Sequence, residues 1–281
     1  MSNVIRLIQR QSMSLKKNEK MVCVHTIDEP TDDMLTVPTP DVRSNKPFGI
    51  HDQEDGQTAF FQKIITAKIG EREVSIAIPN EISLSLSISM RSLTAAERKQ
   101  KEIKQRASAS DTIFDTDVKI AYDFLEEIQK AVVFSYKAIE SFCNASIPDS
   151  YTYKKTTSKG IVEHYGKEQI ERWVSTSEKI SAIIPDVLKC SSPVEQNFWS
   201  DFKNLERIRN EIIHSKSSNS SEMLVELFSS KIRNYIGSSA MLLEYFIGLD
   251  PCNPIFPLGF GSSQIKIMSV PDSNEYLSKI E

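Results

Sequence analysis

Apolar positions follow two different rhythms along the chain. Near the start, "MVCVHTI", "AFFQKIITAKI" and "REVSIAIP" are β-branched and aromatic runs, and "EISLSLSISM" alternates Ile82, Leu84, Leu86, Ile88 and Met90 with serines. Period-two alternation predicts strands, so these runs predict a half-buried antiparallel sheet. Residues 29 to 57, with four prolines and mixed charge, predict a surface loop between the first strand and the rest. At Thr94 the rhythm changes. "TAAE" has the capping-box spacing of Thr94 with Glu97 and predicts the start of a charged helical connector.

Beyond the connector the spacing is helical. Val118, Tyr122, Leu125, Val132, Ile139 and Cys143 recur at three- and four-residue steps and predict a helix from Asp117 to Asn144, closed by Pro148. Ile170, Val174, Ile180 and Ile184 predict a second from Lys167 to Ile184. "SPVE" places a capping serine, a first-turn proline and Glu195 in order, which predicts a third from Ser192 to His214. The fourth runs from Glu222 to Ile247, with Gly248 as its stop, and "QIKIMSV" in the turn-rich tail predicts a last strand. The fold class expected is therefore α+β. A small antiparallel β-rich module spans 1–92, with its flexible loop near 29–57. A basic helical connector at 93–114 leads to a bundle of four long helices at 115–248, and a tail at 249–281 follows. No internal repeat is present.

Composition narrows the function classes. The 281 residues are 40% apolar, enough for a sizeable core, and the net charge of −4 exerts no global pull on nucleic acid. Cys23, Cys143, Cys190 and Cys252 lie far apart with no C-x-x-C pair, which argues against zinc and against a disulfide scaffold. The first residues lack an apolar signal core and no apolar run reaches a membrane span, so a cytoplasmic protein with no membrane partner is expected. A Gly-rich phosphate loop, a G-x-S-x-G elbow and an H-E-x-x-H helix are all missing.

The third predicted helix carries the chemistry. At 100 degrees per residue, Phe198, Phe202, Leu205, Ile208 and Ile212 form one stripe that must face the core. His214 falls on the opposite side, with Arg207 seven residues back and Asn210 four back. A cation, an amide and an imidazole on an unburied face suit a ligand or a partner subunit; a solvated helix end with a dipole-favoured histidine suits the same pattern.

"RNEIIH" at 209–214 resembles the R-x(4–6)-H motif of the HEPN superfamily, with Arg209, Asn210 and His214 at the matching positions. "AVVFSYKAIESFCNASIP" is similar to the opening helix of such domains, and the resemblance covers about residues 115 to 248. It implies a four-helix HEPN-like bundle and a homodimer in which two motifs form one composite site. It also implies a metal-independent endoribonuclease needing no cofactor, as found in bacterial phage defence and toxin systems. RNA would be its partner and a regulatory or antitoxin protein could restrain it. In such a site a histidine moves the proton of a ribose 2′-OH, arginine stabilises the charge developing on phosphate, and the products carry 2′,3′-cyclic phosphate. Asn210 would orient the imidazole or hold a phosphate oxygen.

Two readings stay open at the arginine. On an ideal helix Arg209 lies 140 degrees from His214, inside the apolar stripe, whereas Arg207 points the better way and also satisfies the motif as R-x6-H. The connector, with Arg91, Arg98, Lys99, Lys101, Lys104 and Arg106 against Glu97 and Glu102, is locally basic. Lys99, Lys101, Lys104 and Arg207 are candidate RNA-phosphate contacts. Trp173 and Trp199 are expected in core or dimer packing, and His164, Tyr151 and Tyr153 are loop residues able to meet a nucleotide. The competing function is a non-catalytic HEPN-like module that binds RNA, a nucleotide or a protein and uses the motif to dimerise.

Overall fold

Strand β3 (Thr58–Ile69) is the spine of a five-stranded sheet. β1 (Glu19–Ile27) runs antiparallel along one of its edges, pairing Glu19 with Ile65 and Ile27 with Thr58. β2 (Phe48–Asp52) and β4 (Arg72–Ala77) share the other edge end to end, Phe48 opposite Phe61 and Ala77 opposite Ile64. Asn45 fills the space between them. Its amide nitrogen donates to the carbonyls of Lys63 and Ile78, and its oxygen accepts the Lys63 N–H. The computed structural model describes residues 15, 16, 18–27, 41–107, 118–156, 160–214 and 220–278.

The expected loop at 29–57 is corrected over 48–52, which is β2; residues 29–40 lie outside the described residues. β2 is bonded on both sides, because the tail strand β7 (Ile267–Val270) lies parallel to it with Ile267 opposite Gly49. A Cβ on Gly49 would sit 2.9 Å from Ile267 Cγ1 and 3.1 Å from Phe60 Cε1, so the residue is glycine for lack of room. A separate hairpin pairs β5 (Tyr153–Thr156) with β6 (Val162–Tyr165).

The fourth expected strand, "EISLSLSISM", is a helix. Helix α1 (Glu81–Ala107) starts at Asn80, whose side-chain oxygen accepts the N–H groups of Ile82 and Ser83. Thr94 is therefore mid-helix, not a cap, and its hydroxyl donates to the Met90 carbonyl. Positions 82, 85, 86, 89, 92, 93 and 96 are all buried, a spacing of three and four that includes Ser85, Ser89 and Ser92. The connector is the second half of this helix up to Ala107, and 108–114 lie outside the described residues.

Helix α2 (Val118–Ser146) agrees with expectation. The second expected helix is broken. α3 (Lys167–Trp173) stops where Val174 turns extended, and Ser175 then caps α4 (Thr176–Glu178) by accepting the Glu178 N–H. A π turn at Lys179–Ile183 leads into α5 (Ile184–Leu188), where Pro185 has no N–H to give. The third helix, α6, covers only Trp199–Ile213; Ser192 makes no cap bond, and Pro193–Glu195 form a 3₁₀ turn ahead of it. The fourth divides at Phe228–Lys231 into α7 (Ser220–Leu227) and α8 (Ile232–Leu249). A short α9 (Ser273–Ser278) follows β7, with Ser273 N–H bonded to Asp52.

The chain is thus mixed α+β, with an N-terminal sheet and helices after it. Two compact units divide it. One takes residues Met1–Ser83, Phe142–Ser191 and Glu244–Glu281, and the other takes Leu84–Ser141 and Ser192–Leu243. In the first, Phe142 packs on Phe246 and Phe256, and Phe60 packs on Ile265. The second is helical, built around buried Phe124, Val132, Tyr136, Phe202, Leu205, Ile208 and Leu242. Ser89 donates to the Ala131 carbonyl there, so a small polar face of α1 meets α2 closely. Among the described residues no helix is long and apolar enough to cross a membrane.

Candidate functional site

Helix α6 buries Phe202, Leu205 and Ile208, and Phe198 just before it is buried as well. That stripe fixes the rotation of the helix, at about 1.5–3 kcal/mol for each large apolar side chain removed from water. Arg207, Asn210 and His214 are therefore exposed, as the spacing predicts. His214 is the last cap of the helix: its N–H still donates to the Asn210 carbonyl, but its backbone (φ −116, ψ 45) has left helical geometry.

Arg209 is half-buried, as its place beside the apolar stripe requires, and it turns toward α2. Its guanidinium carbon lies 4.9 Å from the centre of the Tyr136 ring, close enough for a cation–π contact. Nη2 donates to both carboxylate oxygens of Glu140, each at 3.2 Å, and Nη1 donates to Asn210 Oδ1 at 3.0 Å. Beneath it the Tyr136 hydroxyl donates to Glu206 at 2.9 Å, and Lys203 pairs with the other Glu206 oxygen. Asn210 therefore joins the motif, through its side chain to Arg209 and through its carbonyl to His214. Tyr136 and Glu140 lie on α2, so the spacing of α6 could not find them, whereas Glu206 lies on α6 itself about one turn before Arg209.

Arg207 is committed elsewhere. It bonds Glu211 one turn on and Glu226 of α7. Partial burial works against its charge, and the two carboxylates outweigh it, so its pKa lies above the ordinary arginine value. Of the connector lysines, Lys99 is paired with Asp123 at 3.4 Å and Glu102 at 3.7 Å, while Lys101 and Lys104 are exposed on α1. Arg207 and Lys99 thus already hold carboxylate partners, while Lys101 is exposed.

Of the other singled-out residues, all but Trp199 belong to the first unit. Tyr151 donates to Asp186 and Tyr153 to Glu178, which also takes Lys155. Burial and then the carboxylate partner push both phenols above the usual tyrosine value. His164 stands across the hairpin from Lys154, and both are exposed. Trp173 is 59% exposed with Tyr165 at its edge, which corrects a place in the core of the single chain. Trp199 sits against Phe202, ring centres 5.2 Å apart, and does pack.

In comparisons with known proteins, no family model, no curated protein and no solved structure matches the chain.

Proposed function

We propose that the stretch from α2 to α8, where the resemblance lies, carries a HEPN-like four-helix bundle. On this reading the protein is a metal-independent endoribonuclease whose composite site is shared by two copies. The observation that carries this reading is the single helix end on which Arg209, Asn210 and His214 are linked, with the imidazole exposed and the guanidinium held by Asn210. His214 would take the proton of a ribose 2′-OH as its oxygen attacks the adjacent phosphorus, and a histidine would return one to the departing 5′-oxygen. Arg209 would stabilise the added charge on the non-bridging oxygens, and the chain ends left behind would be a 2′,3′-cyclic phosphate and a 5′-hydroxyl. Exposed Lys101 and Lys104 would attract the RNA backbone. A role in phage defence or as a toxin held by a regulatory partner follows from the same resemblance.

A second reading has its own support. Arg209 is bonded to Glu140, Asn210 and the face of Tyr136, and among the described residues nothing joins its side chain to that of His214. A set whose arginine serves the packing of α6 on α2 would suit a non-catalytic dimerisation module. RNA cleavage in EDTA by wild type, Arg209→Ala and His214→Ala, each checked for fold and oligomeric state, separates the two. The nuclease reading expects a loss of at least about a hundredfold in both variants, with cyclic phosphate ends from wild type. Equal cleavage by His214→Ala overturns it.

A further inference from the structure

The arrangement around Arg209 is more elaborate than packing requires. Tyr136 is 3% exposed and stacks parallel to Phe202, ring centres 6.3 Å apart, so a phenylalanine would fill its place. Instead its hydroxyl holds Glu206, itself only 8% exposed and partnered by Lys203. Keeping a carboxylate this far from water is costly unless its bonds are maintained. Together they fix the ring under the guanidinium. Glu140, one turn further along α2, then holds Nη2 with both oxygens, and Asn210 holds Nη1. Three contacts from two helices define the plane and the rotation of one guanidinium.

The Nε–H makes no hydrogen bond among the described residues. We infer that Tyr136 and Glu140 are positioning residues, which orient Arg209 so that its Nε–H is presented to a phosphate oxygen. This rests on the nuclease reading and deepens it. A free arginine side chain has many rotamers to give up, and a guanidinium locked before substrate arrives does not lose that freedom during the reaction. Glu140 and Tyr136 touch no substrate in this scheme; they act through Arg209.

The test pairs kinetics with a signal from the side chain itself. Wild type, Glu140→Gln, Tyr136→Leu and Arg209→Lys are compared as full chains, with unfolding midpoints measured for each. In protein labelled with ¹⁵N-arginine, Arg209→Lys assigns the Nε–H resonance, and locked geometry gives wild type separate, slowly exchanging Nη protons. Glu140→Gln and Tyr136→Leu are expected to average those protons and to lower kcat by roughly tenfold to a hundredfold with KM little changed. Inorganic phosphate is expected to shift the Arg209 Nε–H signal in wild type.

Unaltered Nη signals in both variants overturn the inference, as does unaltered kcat alongside an inactive Arg209→Ala. A kcat raised in Glu140→Gln also overturns it and makes Glu140 a restraint on Arg209. Should Arg209→Ala cleave like wild type, the nuclease reading falls. The resonances and the phosphate titration then still decide whether the guanidinium is locked and anion-facing.

Discussion

A lysine ammonium closed off from water needs either a carboxylate or a set of carbonyls, and Lys46 has the second. Its Nζ donates to the carbonyls of Gln264 at 2.9 Å and Pro251 at 3.2 Å. Burial pushes its pKa down from 10.5 to about 8, against the opposing pull of Cys252 and Asp250. The folded value lies below the unfolded one, so between these two pH values the unfolded chain binds more protons and stability rises with pH. Below about pH 8 both states are charged and the slope vanishes. The whole increment is about 3 kcal/mol. Urea unfolding followed from neutral pH to about pH 10 is expected to give a wild-type minus Lys46→Met difference that climbs through this window, and a flat difference contradicts it. At this scale the sequence is legible where one helix suffices: the outward faces of Arg207, Asn210 and His214 follow from 100-degree geometry. The turn of Arg209 does not, because its partner Glu140 lies 69 residues earlier in the chain.

Elements were legible where apolar residues alone mark the buried face. α2 is such a case, and so are β3 and β7, whereas β1 and β4 are strands although their residues are mostly exposed. α1 is not, because its buried stripe includes Ser85, Ser89 and Ser92; with serines taken as polar, the remaining isoleucines and leucines beat at period two. Its true start is the Asn80 cap, whose amide nitrogen also donates to the Ile255 carbonyl. Asn80→Ala is expected to lower unfolding stability by about 1–2 kcal/mol, whereas Thr94→Ala should stay within about 0.5 kcal/mol. Matched urea curves decide it, and equal losses would return the helix start to Thr94. The second predicted helix had a local signal that apolar periodicity overrides, Ser175 three residues before Glu178, and Pro185 stands just past its predicted end. The β5–β6 hairpin has no such signal, since its strands are four residues long and mostly polar.

On the scale of the whole molecule, the first unit is assembled from three separate stretches of chain and the second from two. The sheet is the clearest case, because β7 completes it from the far end of the sequence: Gly49 N–H donates to Lys266 and Gln53 N–H to Val270. Removing residues from 263 onward is expected to strip protection from those two amides in hydrogen exchange. The β1–β3 ladder should keep more of its own, and unchanged protection at Gly49 and Gln53 would mean that β2 does not need its parallel neighbour. Synthesis of the chain meets the same dependence as a problem of timing. β2 is made among the first fifth of the residues, yet its second partner appears only after the whole helical unit has been translated, so one edge of the nascent sheet stays open for most of that time. At about 5–20 residues per second the wait is on the order of ten seconds or more. An open strand edge of that duration is an opening for chaperones, and for a neighbouring chain on the same messenger.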